Sequence, residues 1–238
     1  MVRDFTFNEA YFLLISARWT VLLALVACVG GGLVGMVIAG LRVSPSSLLR
    51  RLSMGYVRFI EGTPILIQLF MVYYGTAFIG LSPDPWSAAA FTFIFNSAAF
   101  FGEIFYGAIS AVPVGQWEVS RALGLRFVPT LRLVILPQAF RLMLPPTVGL
   151  IVQIIKGTSV ASLIGFTELA RTATLINTVT FEPALVFGLV ALIYFSLCWP
   201  LSLLGAALER RLQVQQRRSG PLSKGAPAQP VAAVAGPD

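Results

Sequence analysis

The sequence predicts an all-α fold: a polytopic membrane bundle of five transmembrane helices with one long helical loop on its cytoplasmic side. Three observations predict it. Of 238 residues, 57% are apolar and only 11% charged, with a mean hydropathy of +0.83; a soluble domain carries about 25% charged residues. Five stretches are long enough for a bilayer crossing, which takes ~20 mostly apolar residues. The basic residues fall into alternate connections between those stretches. A water-facing fold, a disordered chain and a disulfide scaffold are excluded together. Histidine is absent, so the usual haem and catalytic-zinc chemistries lose their commonest ligand.

Three spans are free of charge: Trp19 to Leu41, Gly62 to Pro83 and Pro183 to Leu208. Two more are interrupted once, Pro85 to Trp117 by Glu103 and Leu142 to Thr167 by Lys156. Helix one, about Ala17 to Leu41, carries Gly30, Gly31, Gly32 and Gly35, small residues that let membrane helices approach closely. Helix two runs about Met54 to Ile79 with Gly62-Thr63-Pro64 inside it, where proline has no N–H to give and frees a carbonyl one turn earlier. Helix three runs about Trp86 to Ala111. A long connection follows, about 112–141. In it Val114 to Leu123 reads as a short helix stopped by Gly124, and Pro129 to Leu136 as a second short helix. Helix four spans about Leu142 to Ile164 and helix five about Ala184 to Leu208. The membrane domain is thus 1–211, and the Pro/Ala/Gly/Gln-rich residues 212–238 read as a disordered cytoplasmic tail. Cys28 and Cys198 fall inside spans and read as packing residues.

With the N-terminus outside, twelve of the 17 basic residues lie inside: Arg42, Arg50 and Arg51; Arg121, Arg126, Arg132 and Arg141; and five from Arg210 to Lys224. Positive residues favour the cytoplasm, so the C-terminus is expected inside. The net charge of +7 is then a matter of topology, and its division between loops and tail disfavours nucleic-acid binding.

The long connection carries the strongest motif. Glu118-Val119-Ser120-x-x-x-Gly124, then nine residues, then Val134-Ile135-Leu136-Pro137 resembles the EAA loop, E-A-A-x-x-x-G-x9-I-x-L-P, of ABC importer permeases. Glu118, Gly124, Leu136 and Pro137 match; Val119, Ser120 and Val134 depart. Gly62-Thr63-Pro64-Ile65-Leu66-Ile67-Gln68 is similar to the R-G-T-P-L-L-V-Q-L segment of the polar amino acid branch, which imports histidine, glutamate, glutamine, arginine and opines. Glu103-Ile104 resembles its A-E-I motif. Lys156-Gly157-Thr158-Ser159-Val160 with Glu168-Leu169-Ala170-Arg171 resembles its K-D-T-S-L…E-L-T-R pair. Four motifs in order, over about Thr20 to Arg211, make a strong resemblance. Three positions depart further. Arg58 and Glu61 reverse the branch's usual order and read as a local i,i+3 ion pair. Gly157 stands for an acidic residue, and Tyr106 for an arginine.

The resemblance implies a type I ABC importer permease fold and a cytoplasmic ABC ATPase dimer as partner. ATP and Mg belong to that ATPase, since no G-x-x-x-x-G-K-[S/T] loop occurs here; this chain is expected to bind no cofactor and no metal. It further implies a second permease copy or a homologous permease, an extracytoplasmic solute-binding protein, and a bacterial inner membrane location. The expected coupling residues are Glu118, Arg121, Ala122, Leu123 and Gly124. A short helix with an apolar Val119/Leu123 stripe suits a groove on a partner, against the alternative of an interfacial helix lying on lipid.

The expected substrate pathway is Glu103, Lys156, Thr63, Gln68, Thr158, Ser159 and Glu168. Charge at membrane depth is costly, so Glu103 and Lys156 either line a polar pocket for a zwitterion or satisfy each other and nearby backbone. Glu168 and Arg171 suit an outer vestibule, a docking contact or plain solvation. Asn96 reads first as an interhelical hydrogen-bonding residue, with a place in the site as the second reading. A self-sufficient channel or secondary transporter is the alternative; no internal repeat supports it.

Overall fold

The computed structural model describes the backbone of residues 5–219 and the side chains of residues 5–212. Among the described residues the regular structure is entirely helical. Four helical runs are long and apolar enough to cross a membrane, or five when the bent pair described below counts as one span.

Helix α1, Phe7–Val43, begins ten residues before the expected start. The cause is local and tertiary. The Thr6 backbone N–H donates to the Glu9 carboxylate at 3.0 Å, closing a capping box. Beyond the cap, Leu13 and Ala17 pack with the first turns of the last two helices.

The main helix pair is α1 with α4, Pro85–Ser110. Close approach accounts for the glycines. A Cβ on Gly31 would stand 2.6 Å from the Ser97 Cβ, and one on Gly35 would stand 2.6 Å from the Phe101 Cβ. Gly32, by contrast, faces open space. At the N-terminus of α4, the Asp84 carboxylate accepts from the Trp86 and Ser87 N–H groups. Those bonds and the Ser87 hydroxyl hold its pKa below the ordinary value.

Expected helix two is a sharply broken pair. Helices α2, Ser47–Glu61, and α3, Ile65–Tyr73, meet at 98°, and a 3-10 turn, Gly75–Ile79, follows α3. A proline alone kinks a helix; here the chain leaves the helix for three residues. The freed polar groups are answered internally, as described below.

Helix α5, Val114–Ala122, is the short helix expected in the loop. The second expected short helix is not separate. The chain runs from α6, Phe127–Pro129, through a π-helical turn, Thr130–Ile135, directly into α7, Leu136–Gly157, and a 3-10 segment, Thr158–Ile164. Pro137 has no N–H, and in an α-helix its ring would press on the carbonyl four residues back. The wider i→i+5 turn before it relieves that crowding. Pro145 and Pro146 lie within α7 without ending it.

Helix α8, Leu169–Thr180, has no counterpart in the expected elements. It packs Leu169 and Ala173 on Leu13 of α1 and on Val186 and Val190 of α9, Pro183–Ser219. The last helix therefore continues to Ser219, past the expected boundary at 211; the rest of the expected tail lies outside the described residues. Cys28 and Cys198 are unbonded and pack in the central core.

Candidate functional sites

The loop presents a rigid turn at its tip. Trp117 stacks on Phe127 at 6.0 Å and packs with Ile135 and Ala139, which tie α5 to α4 and α7. Ser120 faces inward, and its hydroxyl donates to the Gln116 carbonyl at 2.7 Å. The helix ends in a Schellman turn. The Leu125 N–H donates to the Ser120 carbonyl at 3.0 Å and the Gly124 N–H to the Arg121 carbonyl at 2.9 Å. Gly124 holds φ +76°, a left-handed conformation that a residue with a Cβ resists. Glu118, Arg121, Ala122, Leu123 and Gly124 are all exposed. Val119 is 60% and Leu123 74% exposed, so the apolar stripe is left without a neighbour in this chain. Glu118 and Arg121 do not pair with each other.

The expected substrate residues do not converge on one pocket. Glu103 forms an ion pair with Arg42 of α1, whose guanidinium also lies 4.0 Å from the centre of the Tyr106 ring. Arg42 is only 10% exposed. Glu103 therefore meets neither Lys156 nor a shared pocket with it; its own side chain stays 46% exposed, while Tyr106 covers Arg42. Lys156 is exposed near the end of α7. Thr158 and Ser159 donate to the Ile155 and Lys156 carbonyls at 2.7 and 2.8 Å. They satisfy the last carbonyls of α7 as the helix tightens into its 3-10 turn.

Thr63 and Gln68 hold the elbow together. Pro64 cannot supply the N–H that would reach the Ile60 carbonyl in a continuous helix. The Gln68 side-chain amide donates to that carbonyl and to the Thr63 carbonyl, each at 3.0 Å. The Thr63 hydroxyl donates to the Phe59 carbonyl at 2.9 Å. Asn96 of α4 then donates to the Gln68 Oε1 at 3.1 Å, the interhelical bond its sequence position suggested. Arg58 and Glu61 form no ion pair, contrary to the local reading.

Glu168 is fully buried, not part of an open vestibule. It caps α8 by accepting from the Arg171 N–H at 2.9 Å. The Thr20 and Tyr194 hydroxyls donate to its Oε2 at 3.1 and 3.3 Å, joining α1, α8 and α9. Burial pushes its pKa up, against the N–H and hydroxyl donors that pull it down.

What the elbow does form is a cavity of about 240 Å³ between the α2–α3 break, α4 and α7. Its polar lining is Glu61, Thr63, Asn96, Ser97 and Gln153, with Phe93, Phe100 and Leu150 among the apolar walls. Of these only Thr63 was expected in the pathway. A carboxylate at a helix end one turn before a proline break was the available signal for Glu61. Gln153 had none beyond being uncharged and polar inside a span. Among the described residues no His/Cys/Asp/Glu cluster suits a metal ion.

Comparison with known proteins places this architecture. The family described as "Binding-protein-dependent transport system inner membrane component" matches residues 31–214. A probable amino-acid ABC transporter permease, YckA of Bacillus subtilis, is 38% identical over 180 residues, 76% of this chain and 80% of the relative. The glutamine transport system permease GlnP of Escherichia coli is 33% identical over 200 residues, 83% of this chain and 91% of the relative. A solved amino acid ABC transporter with histidines superposes with a TM-score of 0.81 at 31% identity, over 89% of this chain and 100% of that one. The inward-facing MetNI methionine transporter, at 18% identity and a TM-score of 0.74, shares the fold over 87% of this chain and 99% of that one. Broken second span, exposed α5 turn and family match agree: the chain belongs to the inner membrane components of binding-protein-dependent transport systems, the permease subunits of ABC importers.

Proposed function

We propose that this permease carries a polar amino acid, or a derivative such as an opine, inward across the bacterial inner membrane by alternating access driven by a separate ATPase. The observation that carries the proposal is the α5 turn. A rigid helix end with an unpartnered Val119/Leu123 stripe beside free Glu118 and Arg121 fits a groove on another protein. Its occupant is a cytoplasmic ABC ATPase dimer, which holds ATP and Mg. The end bearing α5 is then cytoplasmic, and the Phe7 end of α1 faces outward. A second permease, identical or homologous, completes the pathway, since two-fold assemblies are the default for such subunits. A solute-binding protein delivers the cargo from outside.

In this reading Glu118, Arg121, Ala122, Leu123 and Gly124 transmit the ATPase's motion. The elbow cavity, with Thr63 in its wall, is the passage at membrane depth; broken helices at that depth are tolerated where they line a cavity. Gln68 serves the passage by holding the elbow. Glu103, Thr158, Ser159 and Glu168 act through the helices they pin, and Lys156 stays exposed beside the passage wall at Gly157.

The test is reconstitution of the permease with its ATPase and binding protein, followed by a screen of amino acids for stimulated ATP hydrolysis. At least one polar amino acid should stimulate severalfold. A chain that passes solute with no ATPase present is a channel or secondary transporter instead.

A further inference from the structure

We propose that Glu61 selects the charge of the cargo, and that the elbow cavity takes an amino acid of net positive charge, with a guanidinium or ammonium group set against Glu61. This rests on the reading of the cavity as the passage.

Among the described residues lining the cavity, Glu61 is the one that is charged, and no lysine or arginine joins it. The two nearest basic candidates by sequence are aimed elsewhere. Arg58, one turn before Glu61, does not line the cavity, and neither does Lys156, although its neighbour Gly157 does. Glu61 is exposed and has no hydrogen bond or ion pair among the described residues.

The neutral polar groups of the lining add both donors and acceptors. The Thr63 hydroxyl proton is committed to the Phe59 carbonyl, the Ser97 hydroxyl to the Phe93 carbonyl, and an N–H of Asn96 to Gln68. The Thr63 oxygen in turn accepts from the Gln68 amide at 2.9 Å, so the neutral acceptors left for a ligand are chiefly the amide oxygens of Asn96 and Gln153. The wall therefore offers a carboxylate and these amide oxygens. Gln153 keeps both of its amide N–H donors and Asn96 keeps one. A carboxylate with no cation beside it attracts a guanidinium or ammonium group and repels an anion. Gln153 would take the cargo's α-carboxylate.

The experiment measures equilibrium binding of labelled L-arginine, L-glutamine and L-glutamate to the purified permease–ATPase complex in lipid nanodiscs. The binding protein is omitted, so that its own selectivity does not enter. L-Arginine should bind at least tenfold more tightly than L-glutamate. Glu61→Gln should weaken L-arginine binding at least tenfold and L-glutamine binding less than threefold. Glu61→Asp, which keeps the charge, should retain the preference. Co-elution of each variant with the ATPase establishes that it is folded. An equal or stronger affinity for L-glutamate, or an unchanged ratio of L-arginine to L-glutamate affinity in Glu61→Gln, overturns the proposal. ATP-driven uptake of an amino acid with unaltered selectivity in Glu61→Gln overturns it as well and leaves the transport reading standing. Absence of ATP-driven uptake for every amino acid overturns the transport reading itself.

Discussion

Replacing Gly124 with valine isolates the proposed coupling role of the α5 turn. Nothing lies within 4 Å of a Cβ built there, so the substitution adds no clash with a neighbour; its cost is conformational. Gly124 sits at φ +76°, and an L-residue pays about 1–2 kcal/mol for left-handed backbone, with a β-branched residue at the upper end. If the ATPase binds only the formed turn, its apparent dissociation constant rises as the formed fraction falls. A shift of one to two kcal/mol corresponds to a factor of roughly 5–30. Membrane insertion should be unaffected, because the turn lies outside the spans. The assay is ATPase binding to the purified permease in nanodiscs, with uptake measured in parallel at matched abundance. Gly124→Ala should show the lower end of the range. Gly115→Ala, also beside open space but without a positive φ, should bind the ATPase normally. Wild-type affinity and uptake in Gly124→Val would refute the reasoning.

Three further outcomes are expected. Glu103→Ala leaves the nearly buried Arg42 without its carboxylate; because Glu103 itself is 46% exposed, the loss should be about 1–2 kcal/mol, with the Arg42→Ala/Glu103→Ala double variant recovering part of that in a thermal-unfolding cycle. Gln68→Leu strips the elbow of the donor that replaces the missing Pro64 N–H, which should cost about 1–3 kcal/mol and lower uptake through a deformed cavity. Glu168→Ala leaves buried Thr20 and Tyr194 hydroxyls without their acceptor. It should lower the melting temperature by several degrees, read by thermal unfolding in nanodiscs.

Legibility followed the range of the interactions. Charge scarcity alone delineated the spans, because each helix in lipid must be apolar along its own length. The α5 turn was equally readable: Gly124 stops a helix within five residues of the groups it satisfies. Pro64 announced a break, but its 98° angle depends on Gln68 and Asn96 meeting across two helices. Helix α8 was missed because its 12 residues are too few for a bilayer crossing and its four threonines, Thr172, Thr174, Thr178 and Thr180, are weak helix formers. Its stability comes from Leu169 and Ala173 packing on α1 and α9, contacts that no local pattern encodes. The same holds for Glu103. A lone acid at membrane depth signalled a partner, yet Arg42 is 61 residues away, whereas Lys156 drew attention as the other interrupting charge. The cavity itself is made by three elements that converge on Glu61, so its lining is a property of packing rather than of any motif.

The measurement that bears most directly on the whole account is accumulation of a labelled polar amino acid by proteoliposomes holding the permease, its ATPase and its binding protein. With ATP confined to the side that carries α5 and binding protein on the other, the account predicts concentration of the amino acid against its gradient on the ATP side. Equal equilibration with or without ATP, or accumulation with the ATPase left out, would contradict it.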